Sequence, residues 1–397
     1  MNVQFTTLQV GNLSCPVAYL IKTYQFTVIQ LNLSGSVRLL DAGSLQFQFG
    51  SVNGWCQSVT VTLRKIQSHL TYQIDTQLVT AGLVTNSTDL NTLVVSDFTI
   101  YDTFTVQDDS SAQLCCLCNI SGTISMTAVT YRQTYSGAYS MSYSGLVGTT
   151  LSTCGTLLIL NSIISINMSS TAQTSLDQSY IGACVGLGLG GLHTYESVIV
   201  EYFKLTGFSN IGALSGQCSA QVLTKVNVTN GTVTVNNQQG GVIGGQTGAN
   251  TSFSVVFITN LTCSGSSSVG IVGVCQSANI TFVQVNASNI TFSGGSYGGG
   301  FVGYSLVSNI TVTNCLLSNF TLQFSNYGAN FVAFTTGSSG LMLNIQNSIV
   351  KNSSIASGSN MKAVWSNDDG LMARVTSGSS IVDGTVNGAN VDGAIVL

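Results

Sequence analysis

The chain has only two histidines in 397 residues, and one of them, His193, sits in "GGLHTYE" close to Glu196 and Glu201. An imidazole beside two carboxylates is a combination that can hold a metal or move a proton. A metal site would want a second histidine nearby, and none is near, so the stretch reads as a surface turn. Asp108-Asp109 and Asp368-Asp369 are oxygen pairs of the kind Ca²⁺ accepts, and they read better as solvated turns. "CCLC" at Cys115 to Cys118 offers thiols without the partner pair or histidine spacing of a zinc site. The glycine clusters "GLGLGG" (186–191) and "GGVIGG" (240–245) would suit a nucleotide phosphate only at the head of a helix, with an acidic residue about 20 positions on. No helix pattern follows either one, so they read as tight turns and close packing. No catalytic, cofactor-binding or metal-binding residue is assigned.

The strongest chemical signal is of another kind. Fifteen asparagines stand in N-x-Ser/Thr tripeptides: Asn12, Asn32, Asn86, Asn119, Asn167, Asn227, Asn230, Asn250, Asn260, Asn279, Asn286, Asn289, Asn309, Asn319 and Asn352. That is near twice what the composition would produce by chance. Such an asparagine is an acceptor for N-glycans when it lies on the surface of a secreted chain. In "NIT" the period of a strand sends Ile280 or Ile310 one way and its Asn and Thr neighbours the other, hence outward. The competing reading is that Asn and Thr stack as polar ladders, as they do in cross-β structures.

These tripeptides recur in phase. The pattern small-apolar-apolar-small appears as "GLVG" at Gly145, "ACVG" at Ala183, "GALS" at Gly212, "GVIG" at Gly241, "GIVG" at Gly270 and "GFVG" at Gly300. Weaker forms follow at Asn330, Lys362 and Gly393, and "GLVT" at Gly82 and "AQLC" at Ala112 extend the phase backward. Nine residues past three successive anchors lie Asn250, Asn279 and Asn309, and nineteen past them lie Asn260, Asn289 and Asn319. A period of 20 to 50 residues marks a solenoid, whose single unit cannot bury its apolar face but whose stack can.

The elements that must position the tripeptides are strands. Val, Ile, Thr, Ser, Phe and Tyr run almost unbroken, punctuated by Gly, and Pro16 is the only proline. No stretch has convincing helical amphipathicity. The expected fold is all-β, a right-handed parallel β-helix with about 30 residues per coil. Residues 141–397 form its regular part. Residues 1–140 are less regular, either opening coils or a small separate β-domain.

The tetrads at Gly145, Gly241, Gly270 and Gly300 resemble the GLUG motif of β-helical surface and adhesin-type proteins of bacteria and of repeat families in anaerobic flagellate protists. The likeness covers residues 145–397 and is a repeat signature, not an active-site signature. It implies an extracellular or cell-surface role without fixing an activity.

Charge narrows the partners. The chain carries 10 basic and 14 acidic residues, and residues 226–350 contain no Asp, Glu, Lys, Arg or His at all. Nucleic acid is excluded as a partner, because its affinity comes from Lys and Arg on phosphates. Overall hydropathy is positive, yet Ser, Thr, Asn and Gly interrupt every window long enough to span a bilayer. The first residues lack the basic and apolar regions of a secretory signal, so either the protein is intracellular or its targeting parts are absent from this numbering.

The expected function is a non-enzymatic structural subunit of an N-glycosylated extracellular or cell-surface fibril. Its partners are covalent glycans and other copies of itself, joined head to tail through open solenoid ends. No cofactor is expected. The alternative is a glycan-binding adhesin, with Tyr131, Tyr135, Tyr139 and Tyr143 as stacking rings. A polysaccharide lyase or hydrolase is the third reading. It would need clustered carboxylates or histidines, and none occurs between Tyr202 and Asn367.

Overall fold

The computed structural model of the protein describes residues 2–10, 18–22, 25–40, 47–57, 60–75, 78–84, 91–169, 179–276, 279–306, 309–336, 341–356, 360–364, 371–375 and 378–394. Among them every regular element is a strand, as the β-branched composition requires. The chain is a β-solenoid of parallel coils about 30 residues apart. It divides into two compact units, Met1–Phe208 and Ser209–Leu397.

In the first unit the strand Thr60–Asp75 lies between Gln25–Leu40 and Thr92–Leu117, parallel to both, with Ile66 opposite Leu31 and Thr60 opposite Thr92. The strand Ile120–Leu160 follows, Thr92 facing Thr123. The described strands of this unit pair in parallel, one on the next. Inward side chains stack on their counterparts one coil away. Tyr72, Phe104 and Tyr135 form a buried pile with centroid separations of 4.4 and 5.1 Å. The glycine phase needs one adjustment here. Ala81 faces Leu114, and a β-carbon on Gly82 would run into the Cys115 carbonyl oxygen, so Cys115 and not Ala112 continues the Gly82 column.

In the second unit Thr251–Gly265 pairs in parallel with Ile280–Gly294 from end to end. Two residues per coil leave the ladder: Val255 opposite Gln284, and Asn260 opposite Asn289. Each has positive φ, as do Lys225, Asn230, Asn314, Asn319, Asn347 and Asn352 in neighbouring coils. A left-handed residue turns two successive side chains to the same side, so it bends the strand while keeping apolar residues inward. Five such bends five residues downstream of the first set are all asparagine, the residue besides glycine that best tolerates this region.

Inside these bends run apolar columns: Val228, Ile258, Ala287, Leu317 and Val350 in one, Phe253, Phe282, Val312 and Ile345 in another. All are buried, and each large side chain contributes about 1.5–3 kcal/mol by leaving water. The glycine tetrads are buried without alternation, Gln239–Thr247 being covered on both sides over its whole interior. Their glycines let backbone meet backbone. A β-carbon at Gly241 would strike the Gly270 carbonyl oxygen, and one at Gly273 would sit 2.6 Å from that of Gly244.

Gly393 and Ala394 do not add a parallel rung. Thr385 and Val386 pair antiparallel with Asn390 and Ala389, and Ser380 and Ile381 with Ala394 and Gly393. A tight turn at Asn387 and Gly388, both with positive φ, reverses the chain. The return strand thus occupies the outer edge of 380–386, the edge at which head-to-tail stacking was expected.

Candidate functional site: the asparagine column

Asn230, Asn260, Asn289, Asn319 and Asn352 lie one above another, all exposed, with φ of 54, 53, 55, 50 and 50°. Each Nδ2 donates to Oδ1 of the asparagine one coil earlier: Asn260 to Asn230 at 2.8 Å, then Asn289 to Asn260, Asn319 to Asn289 and Asn352 to Asn319 at 3.0 Å each. Asn260, Asn289 and Asn319 both donate and accept. Beside the ladder runs a second column, in which Thr232, Thr262, Thr291, Thr321, Ser354 and Thr385 face one another across successive strands. Five of the N-x-Ser/Thr tripeptides are therefore two parallel columns crossed at a slant.

Asn250, Asn279 and Asn309, also exposed, form a different rim. Here the amide carbonyl is used: Asn250 Oδ1 accepts the backbone N–H of Asn279 at 3.2 Å, and Asn309 Oδ1 accepts that of Met342 at 3.1 Å. Asn227, Asn286 and Asn32 are half-buried and Asn167 is exposed. Asn119 is half-buried and exchanges two hydrogen bonds with Gln113. Asn12 and Asn86 lie outside the described residues.

Among the described residues, those singled out for acid/base or metal chemistry do not converge. His193 is buried within the strand Val185–Glu196, opposite Leu157, and not in a surface turn. The turn is at Gly191, with φ of +79°, and strand alternation past it carries His193 and Tyr195 inward and Glu196 outward. His193 Nε2 lies 3.1 Å from both the Gly190 carbonyl oxygen and Thr150 Oγ1. Burial pushes its pKa down to about 4, so the ring is neutral. Asp102 is likewise buried, accepting from Ser68 Oγ at 2.8 Å and Leu70 N–H at 2.9 Å, and burial pushes its carboxyl up to about 6. Among the described residues no three His, Cys, Asp or Glu gather as metal ligands. The Asp108 and Asp109 side chains and Asp368-Asp369 lie outside the description.

Cys115 and Cys118 are joined in a disulfide, while Cys116, Cys154, Cys184, Cys218, Cys263, Cys275 and Cys315 are buried thiols. Cys263 sits in a core column between Val233 and Phe292, filling space as a small apolar residue. Burial pushes Cys154 and Cys315 up to about 11, away from thiolate reactivity. Tyr131 and Tyr135 are buried and donate to the carbonyl oxygens of Gly145 and Leu114, so neither ring is open to a ligand. The Tyr139 and Tyr143 side chains lie outside the description.

Sequence reasoning missed a different aromatic group. Tyr297, Tyr304, Tyr327 and Phe334 cluster half-exposed on two successive coils, with centroid separations of 4.7 to 5.5 Å. The signal was available, since Tyr304 faces Phe334 and Tyr297 faces Tyr327 at the coil period.

No family matches the chain, and no curated protein matches it. Among the described residues no helix is long and apolar enough to cross a membrane.

Proposed function

We propose that this protein is a non-enzymatic structural β-solenoid of an extracellular or cell-surface layer, bearing N-glycans. The observation that carries this is the five-rung asparagine ladder. The most repeated polar side chains are spent on joining coil to coil along the stack, which is the work of a scaffold. Glycans would supply the hydration that a surface free of charge from 226 to 350 lacks. Intact mass of the chain from its native source, before and after glycosidase treatment, tests the glycoprotein part; an unmodified mass removes it. Self-association is tested by sedimentation at rising concentration. Because the return strand already occupies the edge of 380–386, growth by stacking there requires that strand to move away.

A second reading, a glycan-binding adhesin, is favoured by the aromatic cluster of Tyr297, Tyr304, Tyr327 and Phe334 within the charge-free segment 226–350. Aromatic rings with nearby hydroxyls suit neutral sugars. An oligosaccharide array probed with the chain and with Tyr297→Ala and Tyr327→Ala variants separates it from the scaffold reading.

A further inference from the structure

The fifteen candidate acceptors are not equivalent once folded. Attachment joins Asn Nδ2 to the anomeric carbon of a glycosyl diphosphate donor. The donor's C–O bond to its diphosphate breaks, the diphosphate leaves with the electron pair, and Nδ2 gives up one of its two protons. In Asn260, Asn289, Asn319 and Asn352 one of the two protons of that same nitrogen is donated to the preceding rung at 2.8–3.0 Å, so attachment there must fit beside the ladder bond. Consecutive rungs are one strand spacing apart, about 4.8 Å, and a branched glycan is wider than one coil.

A second observation separates the ladder from glycosylation altogether. The two columns continue into the next coil as Asp383-Gly384-Thr385: Lys351 faces Val382, Ser354 faces Thr385, and Asp383 keeps φ at 52°. An aspartate has no amide nitrogen to glycosylate. The bend therefore selects a short polar residue followed two places later by a hydroxyl for its own geometry, and the N-x-Ser/Thr pattern follows from it.

The rim differs. Asn250 and Asn309 engage Oδ1, not Nδ2, with a backbone N–H, and both stand exposed at the loop ends before Thr251–Gly265 and Ile310–Thr313. They are two coils apart, about 10 Å, with Asn279 between them.

We propose that the glycans lie on the rim of Asn250, Asn279 and Asn309, with adjacent rungs not occupied together, and that the donating ladder asparagines Asn260, Asn289, Asn319 and Asn352 are unmodified structural residues. This rests on the glycoprotein reading above.

The test is occupancy mapping on full-length chain secreted from a eukaryotic host. Enzymatic deglycosylation in ¹⁸O-water converts each occupied asparagine to labelled aspartate. Digestion uses chymotrypsin, because trypsin finds no Lys or Arg between 226 and 350. The expected label is on Asn250 and Asn309, or on Asn279 alone, with none on the four donating rungs. Label on Asn260, Asn289, Asn319 or Asn352 in folded protein overturns the proposal. Label confined to other asparagines, such as Asn167, overturns the rim assignment and leaves the glycoprotein reading standing. No label anywhere overturns both.

Two variants then judge the ladder independently of the rim. Asn289→Gly and Thr291→Val abolish the same tripeptide, but only the first removes a rung. Apart from the mass change of the substitution itself, intact mass is expected to match the parent in both, with Tm lowered in Asn289→Gly and retained in Thr291→Val. Loss of one glycan's mass in either variant, or an unchanged Tm in Asn289→Gly, overturns the structural assignment.

Discussion

Asn289 Nδ2 donates a 3.0 Å hydrogen bond to Oδ1 of Asn260, its counterpart one coil earlier, and Asn289 Oδ1 accepts the same bond from Asn319. A side-chain amide is suited to this role because it has a donor and an acceptor on opposite sides. Asn289→Ala loses both bonds and places alanine in the left-handed region, which costs alanine about 1–2 kcal/mol. The expected destabilisation is about 2 kcal/mol, and about 1 kcal/mol for Asn289→Gly, where only the solvent-exposed bonds are lost. Urea midpoints of protein made without glycosylation measure both.

The ladder stops at Asp383, which has no amide N–H to donate to Asn352. Asp383→Asn supplies the missing donor in a bend of the same φ. The expected gain is about 0.5–1 kcal/mol, read from Tm in a host that does not glycosylate, since the substitution also creates an N-x-Thr tripeptide. An unchanged or lower Tm counts against a ladder that is extensible one rung at a time.

Val255 holds the strained version of the same geometry. Its φ is 55°, and a β-branched side chain in the left-handed region is a conformational outlier. Val255→Asn keeps the bend, exposes no core, and is expected to stabilise by about 1 kcal/mol. A destabilised variant would mean that the half-buried valine packing outweighs the strain.

Gly241→Ala and Gly248→Ala separate packing from conformation. The added methyl at Gly241 meets the Gly270 carbonyl oxygen, whereas at Gly248 it meets open space and only the φ of +73° opposes it. The first is expected to cost more than about 3 kcal/mol by forcing adjacent coils apart, the second about 1 kcal/mol. Equal effects in denaturant melts would contradict the close-approach role of the tetrads.

Two buried groups in the first unit give opposite pH dependences. Asp102 is raised from 3.8 to about 6, so its contribution is full below its unfolded value and is lost as pH rises through 6. His193 is lowered from 6.5 to about 4, so its contribution is full above 6.5 and is lost as pH falls through 4. Each amounts to about 3 kcal/mol. Between pH 4 and 6 the two slopes nearly cancel in the parent chain. Asp102→Asn is expected to leave stability falling toward pH 4, and His193→Gln to leave it falling toward pH 6. Urea midpoints across pH 4–7 check the pair.

Much of the fold could be read in the chain. Strand alternation in "NIT" placed Ile280 and Ile310 inside and their neighbours outside, and the glycine period placed Gly212, Gly241 and Gly270 opposite one another. Both follow from local rules, since the two-residue period of a strand and the coil length are set by consecutive residues. Three features depended on tertiary structure. Whether Asn289 faces solvent as a free acceptor or bonds to Asn260 depends on a neighbour 29 residues away and on a left-handed bend that no short window reveals. His193 looks like part of a glycine-rich turn, and only its pairing with Leu157 shows that it points inward. At the C-terminal end the spacing of Gly393 matched another coil, but the turn at Asn387 and Gly388 folded the segment back antiparallel. Sequence periodicity states how often the chain can repeat a shape. Which partner each polar group finds is settled by what the neighbouring coils bring within 3 Å of it.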